Sequence, residues 1–245
     1  MLASGDCSTP DLVVVDAVAR KFAGRWALRG ASIRVQAGEV VAIRGANGSG
    51  KSTLLRIVAS ALRPTRGVCT VCGHDVVRNA RRVRSLVGLL GHAPGLYHDL
   101  TVLENLHFAA RMSGIGNGDR AVTDAIEAVG LTGAAHIRAR ALSSGMQRRV
   151  ALARIMMRSP KLLLLDEPYN SLDADGVVVV NALVRTTREA GGATLLVTPE
   201  LDRAGAVADR IATMDGGRVR SVEAGPKLHT TVSGVAARTQ LEVAG

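Results

Sequence analysis

A glycine-rich loop carries the residues best suited to chemistry. Residues 45–53 read GANGSGKST, and the spacing Gly45-x-x-x-x-Gly50-Lys51-Ser52 matches the phosphate-binding loop. Backbone N–H groups of such a loop curl around the β- and γ-phosphates of a nucleotide, Lys51 would neutralise phosphate charge and Ser52 would ligate Mg²⁺. The alternative is a plain glycine turn. The candidate binding set is Gly45, Ala46, Asn47, Gly48, Ser49, Gly50, Lys51, Ser52 and Thr53.

A pair of carboxylates supplies the second half of a candidate site. Residues 162–168 read LLLLDEP, in which an aliphatic run indicates a buried strand that ends at Asp166. The carboxyl ends of parallel strands form the usual ligand-binding edge of a sheet. Asp166 would hold Mg²⁺ through water, and Glu167 would orient or deprotonate an attacking water. An Asp-Glu pair alone is often a solvated strand end, but with the loop it predicts a hydrolytic site built from Lys51, Asp166 and Glu167.

The elements that must position these residues read as an α/β protein. With 47% hydrophobic and only 2% aromatic residues, the core of the 245-residue chain must be built from Val, Leu, Ile and Ala, as in a buried parallel sheet. Strands are predicted over DLVVVDAVARKF, RWALRGASIRVQ, EVVAIRG, RGVCTVCG, KLLLLDE, ATLLVT and RIATMDGG, and helices over KSTLLRIVASAL, near 175–190 and near 201–209.

Between about residues 92 and 150 the pattern becomes mostly helical. TVLENLHFAARMSG opens with a Thr-x-x-Glu capping box, Thr101 to Glu104, and RAVTDAIEAVGL and SSGMQRRVALARIMMRS continue with helical spacing. We therefore expect one domain over 11–220, with a helical lobe inserted at about 92–150. Residues 1–10 are expected to form a loose leader, and residues 224–245 a mobile tail.

Charge and cysteine content narrow the class of protein. The net charge of +10 would suit nucleic acid, an anionic membrane surface or a phosphorylated ligand, but the basic residues are scattered and the densest run is RNARRVR at 78–84. The scarcity of aromatic residues argues against single-stranded nucleic acid. Cys69 and Cys72 are expected on a strand as reduced thiols. No apolar run approaches the ~20 residues of a membrane span, and no signal peptide is recognisable, so a cytosolic chain is expected.

Two further motifs carry a family resemblance. LSSGMQRR at 142–149 precedes the helix that leads to LLLLDEP, and NSLD at 170–173 follows it. With these motifs, residues 11–220 resemble the ATP-binding cassette ATPases. The resemblance implies a P-loop NTPase fold, in which a mixed sheet core carries an antiparallel β subdomain and an inserted helical subdomain. It also implies two cassettes that sandwich two ATP molecules with Mg²⁺, and transmembrane permease subunits as partners.

The resemblance assigns roles to residues of the two motifs and to one aromatic residue. Ser143 and Gly145 would contact the γ-phosphate bound to a second cassette, identical or different, and Asp173 would belong to the loop that couples the two sites. Phe22 sits where the family stacks an aromatic ring on adenine, with an ordinary strand or core residue as the alternative. The family signature is usually LSGGQ, whereas Ser144 and Met146 occupy its third and fifth positions here. Because the serine and glycine remain, we expect ATP sandwiching to be retained.

One stretch points to the cargo. The family places a glutamine at the entrance to the helical lobe, where this chain has His92 within GHAPGLYHDLTVLENLHF. His92 is therefore a candidate catalytic residue, and a lobe-coupling or surface histidine is the alternative; it is not interpreted as a heme ligand. The stretch resembles the ATPase subunits of the heme exporters of cytochrome c maturation, which implies heme export at the cytoplasmic face of the membrane.

The most consequential departure from the family lies at the end of ATLLVTPEL. The family ends this strand with a histidine that contacts the γ-phosphate, whereas Thr198 is followed here by Pro199, which has neither a side-chain donor nor an N–H group. Three alternatives to a heme-export ATPase stay open. One is an exporter ATPase for another cargo such as a drug or lipid, the second, motivated by Pro199, is an ATP-operated clamp with negligible hydrolysis, and the third, suggested by the net charge of +10, is a nucleic-acid-associated cassette. The last is disfavoured, because such proteins usually join two cassettes or insert long arms, so no nucleic-acid partner is expected.

Overall fold

The computed structural model describes residues 11–199 and 207–225, which form two sheets and a set of helices. The strands are β1 (Asp11–Phe22), β2 (Arg25–Gln36), β3 (Val40–Arg44), β4 (Arg66–Val71), β5 (His74–Asp75), β6 (Val87–Leu90), β7 (Leu162–Asp166), β8 (Ala193–Val197), β9 (Arg210–Asp215) and β10 (Arg218–Ala224). The helices are α1 (Lys51–Val58), α2 (Ala80–Leu86), α3 (Val102–Ser113), α4 (Gly118–Ala128), α5 (Ser144–Met156) and α6 (Ala174–Glu189). The predicted leader, most of the predicted helix at 201–209 and most of the predicted tail lie outside the described residues.

The larger sheet has the strand order β10-β9-β3-β8-β7-β6. Its strands β9, β3, β8, β7 and β6 are parallel, and β10 pairs with β9 in the antiparallel sense. The carboxyl ends of four of the parallel strands meet at one edge, where Val197 pairs with both Ile43 and Asp166, and Leu90 pairs with Leu165. This edge therefore brings together four loops that are far apart in sequence.

The smaller sheet is antiparallel and has the order β2-β1-β4-β5. Helix α1 packs between this sheet and one face of the larger one, in a core that includes Leu28, Leu54 and Leu164. Although β2 and β3 follow each other across the QAGE turn, they belong to different sheets. The β subdomain and the mixed sheet core of the predicted fold are both confirmed.

The other face of the larger sheet carries the helical side of the molecule. Leu163 and Leu165 of β7 point into a second core with α3, α5 and α6, while Leu162 and Leu164 point into the first. Since both faces of β7 are covered, every leucine along it is buried, which stabilises the fold by about 1.5–3 kcal/mol for each leucine side chain. The predicted capping box is present, because the Thr101 hydroxyl accepts from the N–H of Glu104 at 3.2 Å.

The structure adds elements that were not predicted, and one local expectation is wrong. The basic run 78–84 contains most of helix α2, in which Val83 is buried. The last strand, β10, follows the predicted strand RIATMDGG and runs to Ala224. Cys69 lies in β4, where burial raises the pKa of its thiol to about 12, but Cys72 lies in the following turn with a left-handed φ of 48°. In residues 11–199 and 207–225, no helix is both long and apolar enough to cross a membrane.

Candidate nucleotide-binding and hydrolysis site

The glycine loop joins the carboxyl end of β3 to the first turn of α1, as its sequence predicts. Gly45 and Gly50 adopt φ values of 153° and 103°. A Cβ atom at Gly45 would lie 2.2 Å from the carbonyl oxygen of Met214, and one at Gly50 would lie 2.6 Å from that of Ala27. Neighbouring backbone thus holds the loop tightly, and only glycine fits at these two positions.

The close approach at Gly50 gives a stability prediction. In Gly50→Ala the left-handed backbone costs about 1–2 kcal/mol for a residue with a side chain, and the overpacking of the added methyl group costs about 1–3 kcal/mol. We therefore expect this substitution to lower the free energy of unfolding by about 3 kcal/mol. Gly73→Ala is the control, because Gly73 also has a positive φ of 73°, but an added Cβ there would meet no atom of the described chain within 4 Å. Urea unfolding of both variants measures the difference, and equal losses would contradict the steric argument.

Lys51 is the first residue of α1 and is only 8% exposed. Its ammonium group donates to the carbonyl oxygens of Gly45 (2.8 Å) and Ala46 (3.0 Å), so the charge lies inside the loop. The hydroxyl of Ser49 is buried and has no hydrogen-bond partner in the described part of the chain. A buried, unpaired hydroxyl beside an ammonium group and a helix N-terminus suits an oxyanion that would accept hydrogen bonds from all three.

The two carboxylates lie at the carboxyl end of β7. Asp166 is the last residue of the strand and is 5% exposed. Glu167 has a left-handed φ of 50°, and its N–H donates to the carbonyl oxygen of Val197 at 2.8 Å. The side-chain amide of Asn170 donates to the Glu167 carboxylate at 2.6 Å. The turn therefore diverts the chain at Glu167, and its carboxylate is held on one side by Asn170.

The side chains of Ser52 and Asp166 fit a magnesium ion by their chemistry. A hydroxyl and a carboxylate are both hard oxygen ligands, and Mg²⁺ is usually bound by one or two protein groups together with phosphate and water. Within residues 11–199 and 207–225, no group of three or more His, Cys, Asp or Glu side chains could hold a metal ion. By the usual coordination of Mg²⁺, an ion held by Ser52 and Asp166 would take its other ligands from a bound nucleotide and water.

The signature residues lie at the start of α5. Ser143 is the N-cap, and its hydroxyl accepts from the N–H of Met146 at 3.2 Å. A Cβ at Gly145 would lie 2.6 Å from the carbonyl oxygen of Ser171, so the start of α5 lies against the segment that follows the carboxylates. Ser143 thus caps α5, and Gly145 lies against the 166–173 segment.

Asp173 is the N-cap of α6 and is held by two groups. The Arg149 guanidinium donates to its carboxylate, and the N–H of Gly176 donates at 2.9 Å. The hydrogen bond from Arg149, followed by that from Gly176, lowers the pKa of the Asp173 carboxyl. The predicted coupling residue is therefore tied to α5, the helix that carries Ser143.

The structure also reveals a buried arginine that sequence reasoning missed. Arg148 donates from Nε to the carbonyl oxygen of Pro168 (3.1 Å), and from Nη2 to those of Asp166 (2.8 Å) and Glu167. Burial lowers the pKa of its guanidinium, and the Asp166 and Glu167 carboxylates partly offset this shift. The only signal in the sequence is the QRR triplet after the signature, which by itself indicates a solvated basic helix.

The remaining candidate residues occupy different places. Phe22 ends β1 and is 43% exposed, with the Arg20 guanidinium 4.5 Å from its ring centroid, so it is a strand residue outside the core. His92 is exposed and follows β6, the neighbour of β7. Pro199 is exposed directly after the buried Thr198, beyond the end of β8. The loops that contain His92 and Pro199 thus flank the carboxylates at the same sheet edge.

Comparison with known proteins identifies the architecture. Residues 28–170 match the family described as ABC transporter, which is more than half of the chain. The chain belongs to the ABC transporter family. It is therefore an ATP-binding subunit of an ABC transporter, in a family that hydrolyses ATP, and the predicted fold class is confirmed.

Two kinds of relative are similar to this cassette. The daunorubicin resistance ATP-binding protein DrrA3 of Streptomyces coeruleorubidus is 38% identical over 209 residues, which cover 84% of this chain and 66% of DrrA3, just under two thirds of that protein. The cytochrome c biogenesis ATP-binding export protein CcmA of Xanthomonas axonopodis pv. citri is 39% identical over 181 residues, which cover 74% of this chain and 83% of CcmA. Both relatives are named as ATP-binding proteins, but one name refers to daunorubicin resistance and the other to export in cytochrome c biogenesis.

Solved cassettes have the same architecture. An ATP-binding subunit of an ABC transporter superposes with a TM-score of 0.81 at 25% identity, covering 87% of this chain and 90% of that one. A dimeric ATP-binding cassette in a post-hydrolysis state, bound to ADP and Pi, superposes with a TM-score of 0.80 at 26% identity. The match covers 86% of this chain and 98% of that one. That second cassette binds nucleotide products as a dimer, and this chain shares its fold.

Proposed function

We propose that this cassette binds and hydrolyses Mg·ATP, that it closes as a dimer around two nucleotides, and that this cycle drives heme-exporter permease subunits. The observation that carries the proposal is the shared sheet edge, where Lys51 follows β3, and Asp166 and Glu167 lie at the end of β7, on the other side of β8. In this proposal the cassette is peripheral on the cytoplasmic face of the membrane, and its positive charge favours anionic headgroups.

Each residue of the site has a defined task in ATP hydrolysis. The Lys51 ammonium, now bonded to the carbonyl oxygens of Gly45 and Ala46, is placed to transfer those bonds to phosphate oxygens. Ser52 and Asp166 would hold Mg²⁺, which neutralises charge that develops on the phosphates. Glu167 orients the attacking water and accepts its proton. The amide of Asn170 donates to one oxygen of this carboxylate at 2.6 Å, which leaves the other oxygen to accept from the water.

The second cassette completes each site. Ser143 lies at the N-terminus of α5, where the helix dipole and a hydroxyl favour an anionic ligand. The dimeric relative bound to ADP and Pi supports a paired arrangement. We propose that Ser143 and Gly145 contact the γ-phosphate held by the partner cassette, and that Asp173 couples the two sites through its bond to Arg149. We also propose that Phe22, which is 43% exposed, stacks on adenine.

The permease is proposed to dock on a cavity between the core and the helical lobe. The cavity has a volume of about 500 Å³ and is bordered by the end of α1, the loop after β6 and helix α3. Tyr97, Phe108 and Met112, which are exposed by 54%, 41% and 73%, line it. Arginine side chains also line the cavity, and a surface that combines apolar and basic side chains suits a short amphipathic segment of a membrane protein. His92, which precedes this surface, is proposed to relay its occupancy to the site.

The cargo proposal has two candidates. Heme export is supported by the similarity to CcmA proteins, including one from Cupriavidus necator that is 34% identical over 198 residues, which cover 81% of this chain and 87% of that protein. The GHAPG and LTVLENL segments support it as well. Drug export is supported by the similarity to DrrA3. We favour heme export because the segments around the proposed docking surface carry that resemblance, and a permease contacts the cassette there.

Co-purification with each class of permease tests the docking surface and the cargo together. The tagged cassette is co-expressed with heme-exporter permease subunits or with a drug-exporter permease, and we expect capture of the former. Met112→Asp should lower capture by about 10-fold, because it places a charge in an apolar interface. Val178→Asp is the matched control, since Val178 is 66% exposed on α6 and does not line the cavity. Preferential capture of the drug-exporter permease would overturn the heme assignment.

A further inference from the structure

Helix α5 contacts the catalytic segment at three points. Gly145 lies against Ser171, Arg148 donates to the 166–168 backbone, and Arg149 donates to Asp173. These contacts cover the stretch 166–173 from one end to the other. The helix that presents Ser143 and the segment that presents Glu167 are thus joined within a single chain.

The turn at Glu167 requires support from outside itself. A left-handed conformation is unfavourable for a residue with a side chain, and both Glu167 (φ 50°) and Ser171 (φ 62°) adopt it. Such conformations persist when surrounding contacts hold them, and they cluster at functional sites. Two backbone groups of Glu167 are held here: its N–H donates to Val197, and its carbonyl oxygen accepts from Arg148.

Arg148 has a geometry that few other side chains could reproduce. Its planar guanidinium reaches three consecutive carbonyl oxygens, of Asp166, Glu167 and Pro168, while the residue is only 7% exposed. Three carbonyl dipoles and the two neighbouring carboxylates stabilise a cation that burial would otherwise disfavour. A buried charge with this arrangement fixes the position of all three backbone units with respect to α5.

We propose that Arg148 is a positioning residue for ATP hydrolysis, which holds the turn that aims the Glu167 carboxylate and ties that turn to α5. The inference rests on the proposed function, because it assigns the catalytic carboxylate to Glu167. Since Ser143 caps the N-terminus of α5, engagement of Ser143 by the partner's nucleotide is transmitted through Arg148 to the Glu167 of the same chain. Arg148 thereby links the two ATP sites of the dimer.

The test compares Arg148→Gln and Arg148→Lys with Arg210→Gln in the full chain. Arg210 also donates to a backbone carbonyl, that of Arg34 at 3.3 Å, and pairs with Glu39 at 2.8 Å, but it lies at the amino end of the parallel strands.

We expect Arg148→Gln to lower kcat by about 10-fold, with KM and the Kd for ATP within about twofold, because a displaced catalytic group affects the rate more than binding. Arg148→Lys should fall between the wild type and Arg148→Gln, since it keeps the charge but loses the planar fork. Arg210→Gln should leave kcat unchanged.

Hydrogen exchange gives a readout that is independent of turnover. In the ATP-bound protein, Arg148→Gln should accelerate amide exchange in peptides that cover 166–173, whereas Arg210→Gln should do so only around 34–39 and 207–212. Unchanged kcat with unchanged exchange at 166–173, or equal effects of Arg148→Gln and Arg210→Gln at that segment, would overturn the inference. If the wild type binds ATP without hydrolysing it, the proposed function fails, and the exchange measurement still decides whether Arg148 holds the turn.

Discussion

Glu167→Gln is expected to lower ATP turnover by about 10²–10⁴-fold while ATP remains bound. Glutamine keeps the size of the side chain and can still accept a hydrogen bond from Asn170, but it cannot accept the proton of the attacking water. Nucleotide contacts through Lys51 and Ser52 do not involve the carboxylate, so the Kd for ATP should change by less than about threefold. Steady-state phosphate release and equilibrium ATP binding measure the two quantities on the same preparations.

The appropriate control is Glu223→Gln. Glu223 lies on β10 and its carboxylate is exposed, with Ser221 as a hydrogen-bond partner and Arg44 at 4.0 Å. This variant loses the same charge away from the nucleotide site, so turnover should stay within about twofold of the wild type. A Glu167→Gln variant that turns over as fast as this control would remove Glu167 from the mechanism and would require another base.

The parts of the candidate site that are formed by contiguous sequence motifs could be predicted. Neighbouring backbone packs tightly against the glycine loop, and this requirement appears in the sequence as Gly45 and Gly50, where a Cβ atom would collide with neighbouring carbonyl oxygens. Asp166 could be placed because both faces of β7 are buried, which makes the strand uniformly aliphatic up to its end. In both cases the steric or burial requirement determines the types of the motif residues themselves, so the requirement can be read from the sequence.

The parts that depend on distant backbone could not be predicted. The partners of Arg148 are carbonyl oxygens, which every residue possesses, so the sequence carries no complementary side chain that would reveal the contact.

Two local features were also not predicted. Helix α2 was missed because its helical pattern contains a single buried residue, Val83, among basic ones. Cys72 was misplaced because the turn to β5 takes a left-handed conformation at a residue other than glycine.

The end of β8 bears on how fast this site works. Thr198 is buried, and its N–H donates to the carbonyl oxygen of Ile43 at 3.3 Å, which brings this strand end next to the start of the glycine loop. Pro199 follows at once and is exposed. Position 199 thus lies at the same sheet edge as Lys51 and Asp166. Proline offers neither an N–H nor a polar side-chain atom to a phosphate there.

Pro199→His is accordingly expected to raise kcat by about 10²-fold, the lower end of what a positioned polar group contributes. The imidazole would donate to the γ-phosphate oxygens as negative charge develops on them, a contact that raises kcat more than it lowers KM.

Pro199→Ala is the matched control, because it removes the ring without adding a side-chain donor, and its kcat should stay within about threefold of the wild type. Phosphate release by the three proteins separates the cases. A rise in Pro199→His alone means that the cassette lacks one catalytic contact and needs a competent partner for fast turnover. Equal and rapid turnover in all three would mean that Glu167 suffices, and the cassette would then be an active ATPase without the histidine contact.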